Sequence, residues 1–191
     1  MNSVYAPLIH QCLIVYVDDS NIYSANFKEH LHYLEEFFKL TRKNHLRLNT
    51  KKCYFGIQKL EFLGFVVLKE GTHADPKKTE KINNWPTPKN LKEILSFLML
   101  VSYYRRFIKS FAQIAAPIRI LLKKGTPYKW TEAQEQAFQE LKHKMTTAPI
   151  LVWLNLQKPF ILYTDISKDS LRAVLAQEVS DYLYYMIAYA S

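Results

Sequence analysis

The sequence predicts an α+β fold with largely antiparallel strands. Three observations carry that prediction. Near the N-terminus, apolar runs rich in β-forming residues are broken by short acidic or glycine turns. Capping-box patterns at Asn26/Glu29, Asn90/Glu93 and Thr131/Gln134 each introduce apolar residues at helical spacing. From Pro159 onward, strand-like runs follow one another without a helical period.

Taken in order, Cys12-Leu13-Ile14-Val15-Tyr16-Val17 reads as a strand, Asp18-Asp19 as a tight turn, and Asn21-Ile22-Tyr23-Ser24 as the returning strand. Phe27, Leu31, Leu34 and Phe38 then recur at helical spacing, and this helix should end near Asn44. Leu46-Arg47-Leu48 and Cys53-Tyr54-Phe55-Gly56 flank a Lys51-Lys52 turn. A second hairpin signal runs from Leu60 to Val67 and is closed by Glu70-Gly71. Pro76 suits the first turn of a helix continuing through Asn84, and Trp85-Pro86-Thr87-Pro88 ends it. After Asn90, the apolar set Leu91, Ile94, Leu95, Leu98, Val101, Tyr104 and Ile108 predicts a long helix, with Lys92, Tyr103, Arg106 and Lys109 on its other side. Pro117 and Gly125-Thr126-Pro127 punctuate the stretch beyond that helix. Ala133, Ala137, Leu141 and Met145 share a face of the next helix, which Thr146 to Pro149 ends. Phe160–Asp165, Leu171–Ala176 and Leu183–Tyr189 are candidates for three consecutive antiparallel strands.

Composition narrows the function classes. With 49% hydrophobic residues and only 4 Gly in 191, the chain has the means to bury a core and is not a disordered polymer. Its longest apolar run is far too short to span a bilayer, and Met1–Gln11 lacks the pattern of a signal peptide. Cys12 and Cys53 lie in unrelated contexts, which suits a reduced intracellular setting, cytoplasmic or nuclear, better than a disulfide framework. The net charge of +9 is concentrated: residues 81–145 carry 12 Lys/Arg against 4 Asp/Glu, whereas residues 1–80 carry 11 against 9. Such a segment is either the footprint of a nucleic-acid partner or a face kept positive for solubility. Adjacent Asp18 and Asp19 are likewise open to two readings. Asp-Asp-Ser-Asn is ordinary turn chemistry, and it is also a pair of carboxylates at a hairpin tip, the oxygen donors that Mg²⁺ prefers.

A series of motifs resolves these alternatives: Tyr16-Val17-Asp18-Asp19, Lys52-Cys53-Tyr54-Phe55-Gly56, Leu60 to Val67, Trp85-Pro86-Thr87-Pro88, Tyr103-Tyr104-Arg105-Arg106-Phe107-Ile108, Lys129-Trp130-Thr131, Tyr163-Thr164-Asp165 and Ala173-Val174-Leu175-Ala176-Gln177. In this order and spacing the chain resembles the pol polyprotein of gypsy-type LTR retrotransposons, over nearly its whole length. The resemblance implies a partial reverse transcriptase palm over residues 1–75, with antiparallel strands and a helix. It implies a small helical thumb over 76–128 and the first strands of an RNase H-like domain over 129–191. It makes Asp18 and Asp19 metal-binding carboxylates of the polymerase and Asp165 the first metal-binding carboxylate of the RNase H-like site, with Mg²⁺, or alternatively Mn²⁺, as cofactor. Lys51-Lys52 falls where the family has a basic residue near the incoming nucleotide, and Phe62-Leu63-Gly64 at the primer grip. Tyr103, Arg105 and Arg106 combine ring faces with guanidinium groups, as a surface tracking a template-primer or hybrid duplex would. Tyr104, Phe107 and Ile108 read as ordinary core.

Some of what that site needs is not in these residues. Met1–Val17 contains no Asp or Glu, and the family's fingers and further palm aspartate match nothing here. Only Asp165 matches an RNase H carboxylate, whereas Glu178 and Asp181 match none. Met99 and Arg172 stand where the family usually has Gly, and Arg172 puts a charge on a strand that reads as buried. The expectation is RNA-directed DNA polymerase ancestry with no polymerase activity from the isolated chain, the remainder of pol being a candidate partner. A non-catalytic nucleic-acid-binding module and a decayed retroelement remnant are the alternatives.

Overall fold

A computed structural model describes residues 1–153, 155, 157–166, 171–180 and 183–191; Asp181 lies outside them. The chain is of mixed helix and strand, and its sheets are antiparallel, as predicted. It divides into two compact units, Met1–Ile57 and Gln58–Ser191. No described helix is long and apolar enough to cross a membrane.

In the first unit, β1 (Leu13–Tyr16) and β2 (Asp19–Ile22) form a hairpin in which Tyr16 pairs with Asp19. Its turn is Val17-Asp18, so Asp19 belongs to the returning strand. Helix α1 (Phe27–Lys43) begins at Asn26, whose Oδ1 accepts from the Glu29 amide at 2.9 Å, and Asn44 caps its end. The face it buries is not the expected one: Phe27, Leu31 and Phe38 are exposed, while Phe37 and Thr41 are buried. Tyr5 decides this. Its ring stacks on Phe37 with centroids 4.6 Å apart, and its hydroxyl lies 2.9 Å from Thr41 Oγ1. The Thr41 hydroxyl donates to the Phe37 carbonyl, so Tyr5 is the donor to Thr41. Leu8, Cys12 and Leu13 complete this small core. Lys51-Lys52 form a 3₁₀ turn (Thr50–Lys52), and no strand pairing involves the segments on either side of it.

The second unit opens with a meander of β3 (Leu60–Phe62), β4 (Phe65–Val67) and β5 (Thr72–Ala74). The Leu60–Val67 run is therefore two strands, turned at Leu63-Gly64, where both residues have positive φ (51° and 74°). The predicted turn at Glu70-Gly71 joins β4 to β5. Helix α2 (Pro76–Asn83) starts at its proline. Helix α3 (Leu91–Tyr103) stops short of the predicted length, because Arg105–Phe107 tighten into a 3₁₀ turn and Ser110 adopts a left-handed conformation. Tyr104, Phe107 and Ile108 are core residues all the same, whereas Leu91 and Leu95 are exposed. Pro117 does not punctuate: it lies inside α4 (Phe111–Ile120), and its carbonyl accepts from Gln134 Nε2 at 3.0 Å. Helix α5 (Glu132–Thr146) carries the Thr131/Gln134 capping box and buries Gln134, Ala137, Phe138, Leu141 and Met145, leaving Ala133 exposed.

Strands β6 (Ile161–Ile166), β7 (Leu171–Ser180) and β8 (Leu183–Ala190) form the expected antiparallel sheet. Buried Gln177 holds the preceding loop, donating to the Asn155 and Lys158 carbonyls and accepting from the Asn155 amide. One apolar cluster runs through the unit, with Phe97 against Phe138 at 4.6 Å near its centre and Met186 and Tyr189 of β8 packed on it. Leu151 pairs with Thr72 through two backbone bonds of 2.8 and 2.9 Å, and Trp153 Nε1 donates to the Leu68 carbonyl at 2.7 Å. The segment after α5 is thus stitched to the meander.

That stitch requires Gly71. Its φ is 151°, and a Cβ there would lie 2.2 Å from the Leu151 carbonyl oxygen. Gly71→Ala is expected to destabilise the chain by about 2–3 kcal/mol through strain and loss of the Thr72–Leu151 pairing, measured by urea unfolding. A change below about 0.5 kcal/mol, the usual surface value, would contradict this close approach.

Candidate functional site

The β1–β2 turn puts Val17 at φ 54°, a left-handed conformation that β-branched residues rarely adopt. Two-residue hairpin turns favour positive φ; the alternation of β1 carries Tyr16 out to solvent, and Val17 is exposed in the turn itself. Asp18 and Asp19 follow, both exposed, with no cation or hydrogen-bond donor engaging either carboxylate among the described residues. Just behind them, Ser20 Oγ and Asn21 Nδ2 are buried without a hydrogen-bond partner. Lys51 and Lys52 are exposed, and the Asn49 side chain accepts from the Lys51 amide to fix their turn.

In the second unit, Phe62-Leu63-Gly64 forms the β3–β4 turn, and two phenols hold it. Tyr103 Oη donates to the Leu63 carbonyl at 2.6 Å and Tyr104 Oη to the Gly64 carbonyl at 2.9 Å. The Asp75 amide also donates to Gly64 O at 3.1 Å, while the Asp75 carboxylate caps α2 through the Lys77 amide. Phe65 stacks on Tyr103 and meets Tyr104 edge-on. A Cβ at Gly64 would lie 3.0 Å from Tyr104 Oη. Tyr103 is therefore committed at its hydroxyl to the turn, with only part of its ring open to a ligand. Arg105 and Arg106 project from the 3₁₀ turn into solvent, and neither has a carboxylate within ion-pair distance among the described residues. The Arg106 guanidinium lies 5.6 Å from the Phe107 ring centroid.

Asp165 sits on β6 directly across from Arg172 of β7, and the two form an ion pair of 2.7 Å. The charge expected on a buried strand is thus accommodated by a cross-strand partner. Met99 points to solvent from α3, so a side chain at that position displaces nothing in the core. Among the described residues, no three His, Cys, Asp or Glu side chains come together as a metal site. Sequence reasoning missed the roles of Tyr104 and Asp75. Two consecutive tyrosines closing a helix, with a glycine turn elsewhere, were the available signal.

Residues 1–67 match the family described as reverse transcriptase (RNA-dependent DNA polymerase), and residues 130–191 match the RNase H-like domain found in reverse transcriptase. The chain is 36% identical over 190 residues to the retrovirus-related Pol polyprotein from transposon gypsy of Drosophila melanogaster, covering 93% of the chain and 18% of that protein. It is 31% identical to the transposon Tf2-3 polyprotein of Schizosaccharomyces pombe, covering 100% of the chain and 14% of the relative. It thus spans less than a fifth of these relatives. Among solved structures it resembles a foamy viral protease-reverse transcriptase bound to double-stranded DNA, with TM-score 0.86 and 25% identity over 99% of the chain and 33% of that protein. The same enzyme bound to an RNA/DNA hybrid matches with TM-score 0.80 and 25% identity, over 99% of the chain and 25% of that protein.

Burial, reinforced by neighbouring Tyr103 and Asp75, pushes the Tyr104 phenol up from 10.0 to about 12. Because the folded value exceeds the unfolded one, this stabilisation is complete below pH 10 and is lost as pH rises towards 12. Tyr104→Phe should cost about 1 kcal/mol at neutral pH, since Gly64 O keeps the Asp75 bond. It should also flatten part of the fall in stability between those pH values, read by chemical denaturation across pH. An unchanged alkaline limb would show that Tyr104 does not hold the turn as a donor.

Proposed function

The chain belongs to the pol family of LTR retrotransposons, in its reverse transcriptase and RNase H-like region, and from that premise we propose that it serves as part of an RNA-directed DNA polymerase. The observation that carries this reading is the hairpin tip, which presents two adjacent carboxylates to solvent with no cation of the chain's own beside them among the described residues. Residues 1–75 are proposed as palm, 76–128 as thumb and 129–191 as the start of the RNase H-like domain.

Asp18 and Asp19 would hold a divalent ion, Mg²⁺ or Mn²⁺. Bound there, the ion would activate the attacking hydroxyl and stabilise the leaving oxygens of nucleotidyl transfer. Two carboxylates fit such a cation as part of a set and not as a whole one, since Mg²⁺ seeks near-octahedral oxygen coordination. Further donors would come from other parts of pol. The unpaired Ser20 and Asn21 atoms support a hairpin built to lie against additional polymerase sequence. Lys51 and Lys52 would meet the incoming nucleotide's phosphates. The Leu63-Gly64 turn, braced by Tyr103 and Tyr104, would bear on the primer strand, and Arg105 and Arg106 on duplex phosphates. Two free thiols fit an intracellular, reducing setting.

The 191-residue polypeptide alone is expected to extend no primer on an RNA template in Mg²⁺, and a co-expressed upstream pol segment should restore extension. Extension by the polypeptide alone that Asp18→Asn abolishes would overturn the first expectation. Failure of Asp18→Asn to abolish the restored activity would overturn the site.

A second reading, nucleic-acid binding without catalysis, is favoured by the 12 Lys/Arg against 4 Asp/Glu in residues 81–145. Affinity for an RNA/DNA hybrid should then fall log-linearly with salt. Arg105→Ala and Arg106→Ala should each lower the slope by about 1, in filter binding across a salt series. A flat response to salt would exclude phosphate-driven binding.

A further inference from the structure

We infer that Arg172 acts as a built-in counter-ion that keeps Asp165 from holding a divalent metal ion. The inference rests on the proposed reading in one respect, that Asp165 stands at the metal-carboxylate position of the RNase H-like segment.

The donor set does not fit a metal. Asp165 belongs to no group of three ligating side chains among the described residues. Its ion-pair partner among the described residues is a cation, with Arg172 Nη2 2.7 Å from Asp165 Oδ2. The geometry fixes this pair. The two residues are direct cross-strand partners in β6 and β7, so the backbone register delivers the guanidinium to the carboxylate. Arg172 Nη1 also reaches Gln113 Oε1 of α4 at 3.2 Å, which tethers the group from a second side. The Arg172 side chain is 30% exposed and the Asp165 side chain 65%. The cation is thus the more embedded member, and the carboxylate is drawn to it.

Both residues line a cavity of about 380 Å³, and among the described residues the other charged group on its wall is Lys109. Among the described residues, a divalent ion entering this cavity would therefore meet two cations and one carboxylate. Exposed ion pairs contribute little to stability. The consequence here is one of occupancy and charge: the guanidinium engages Asp165 Oδ2, an oxygen a metal would need, and it repels the metal's charge.

The test uses the whole 191-residue chain and Mn²⁺ alone, read as paramagnetic broadening of the amide resonances of Thr164, Asp165 and Ile166. Wild type should show no broadening at these amides at millimolar Mn²⁺. Arg172→Gly should show it, and adding Asp165→Asn should abolish it again. Gly within a strand weakens the strand, so Arg172→Met, which keeps the stem without the charge, should behave as Arg172→Gly does. Equal broadening in wild type and both single variants would overturn the inference while leaving Asp165 as a metal position. Absence of broadening in every variant would overturn the assignment of Asp165 as a metal carboxylate, and the inference with it.

Discussion

The Gly64 carbonyl oxygen is the acceptor on which the arrangement of residues 58–191 turns. It receives a phenol proton from Tyr104, at the end of α3, and an amide proton from Asp75, at the start of α2. One atom therefore ties the β3–β4 turn to two helices. Such a junction needs a backbone that turns left-handed at Leu63 and Gly64 and admits a hydroxyl 3.0 Å from where a Cβ would sit. Glycine at the second position meets both conditions. The high proton affinity of Tyr104 comes from the same burial that makes the bond effective.

Much of this was legible in the sequence, and the reasons differ by element. Helix starts were clear because capping residues act locally: Asn26, Asn90 and Thr131 each mark one. The three final strands were clear for the same reason, since β-rich runs there carry no competing helical period. Helix faces were less clear. On α1 two apolar stripes coexist, and the stacking of Tyr5 on Phe37 selects between them across 32 positions of chain. The end of α3 was hidden for a similar reason. The apolar period runs on through Tyr104 and Ile108, and nothing local announces that the tyrosine hydroxyls are bound to a turn 40 residues earlier. Pro117 misled because a helix is able to accept a proline whose neighbours are otherwise well packed.

The candidate site shows the same division between local and distant information. The Tyr16-Val17-Asp18-Asp19 turn is a contiguous motif, so its exposure at a hairpin tip follows from β alternation and turn geometry alone. Asp165 is an equally good match by residue type, but its electrostatic setting is made by Arg172, seven positions on and brought opposite by strand register. Among the described residues no cation pairs with Asp18 or Asp19. Asp165 has a guanidinium at 2.7 Å. Residue type carries the resemblance, and the neighbour bears on whether the proposed metal-binding role is open.

Charge density argues along the same lines. A net excess of Lys and Arg in residues 81–145 creates a positive field wherever those side chains point, and the field alone does not distinguish binding from solvation. Packing bears on the proposed duplex contact at Arg105 and Arg106. Tyr104, Phe107 and Ile108 are buried on either side of them, which leaves both Arg105 and Arg106 exposed on a 3₁₀ turn anchored in the core. Cations held side by side by a packed core give up less side-chain freedom on meeting a phosphate row than cations scattered along a free helix face. Preorganisation of this kind would favour the proposed contact of Arg105 and Arg106 with duplex phosphates.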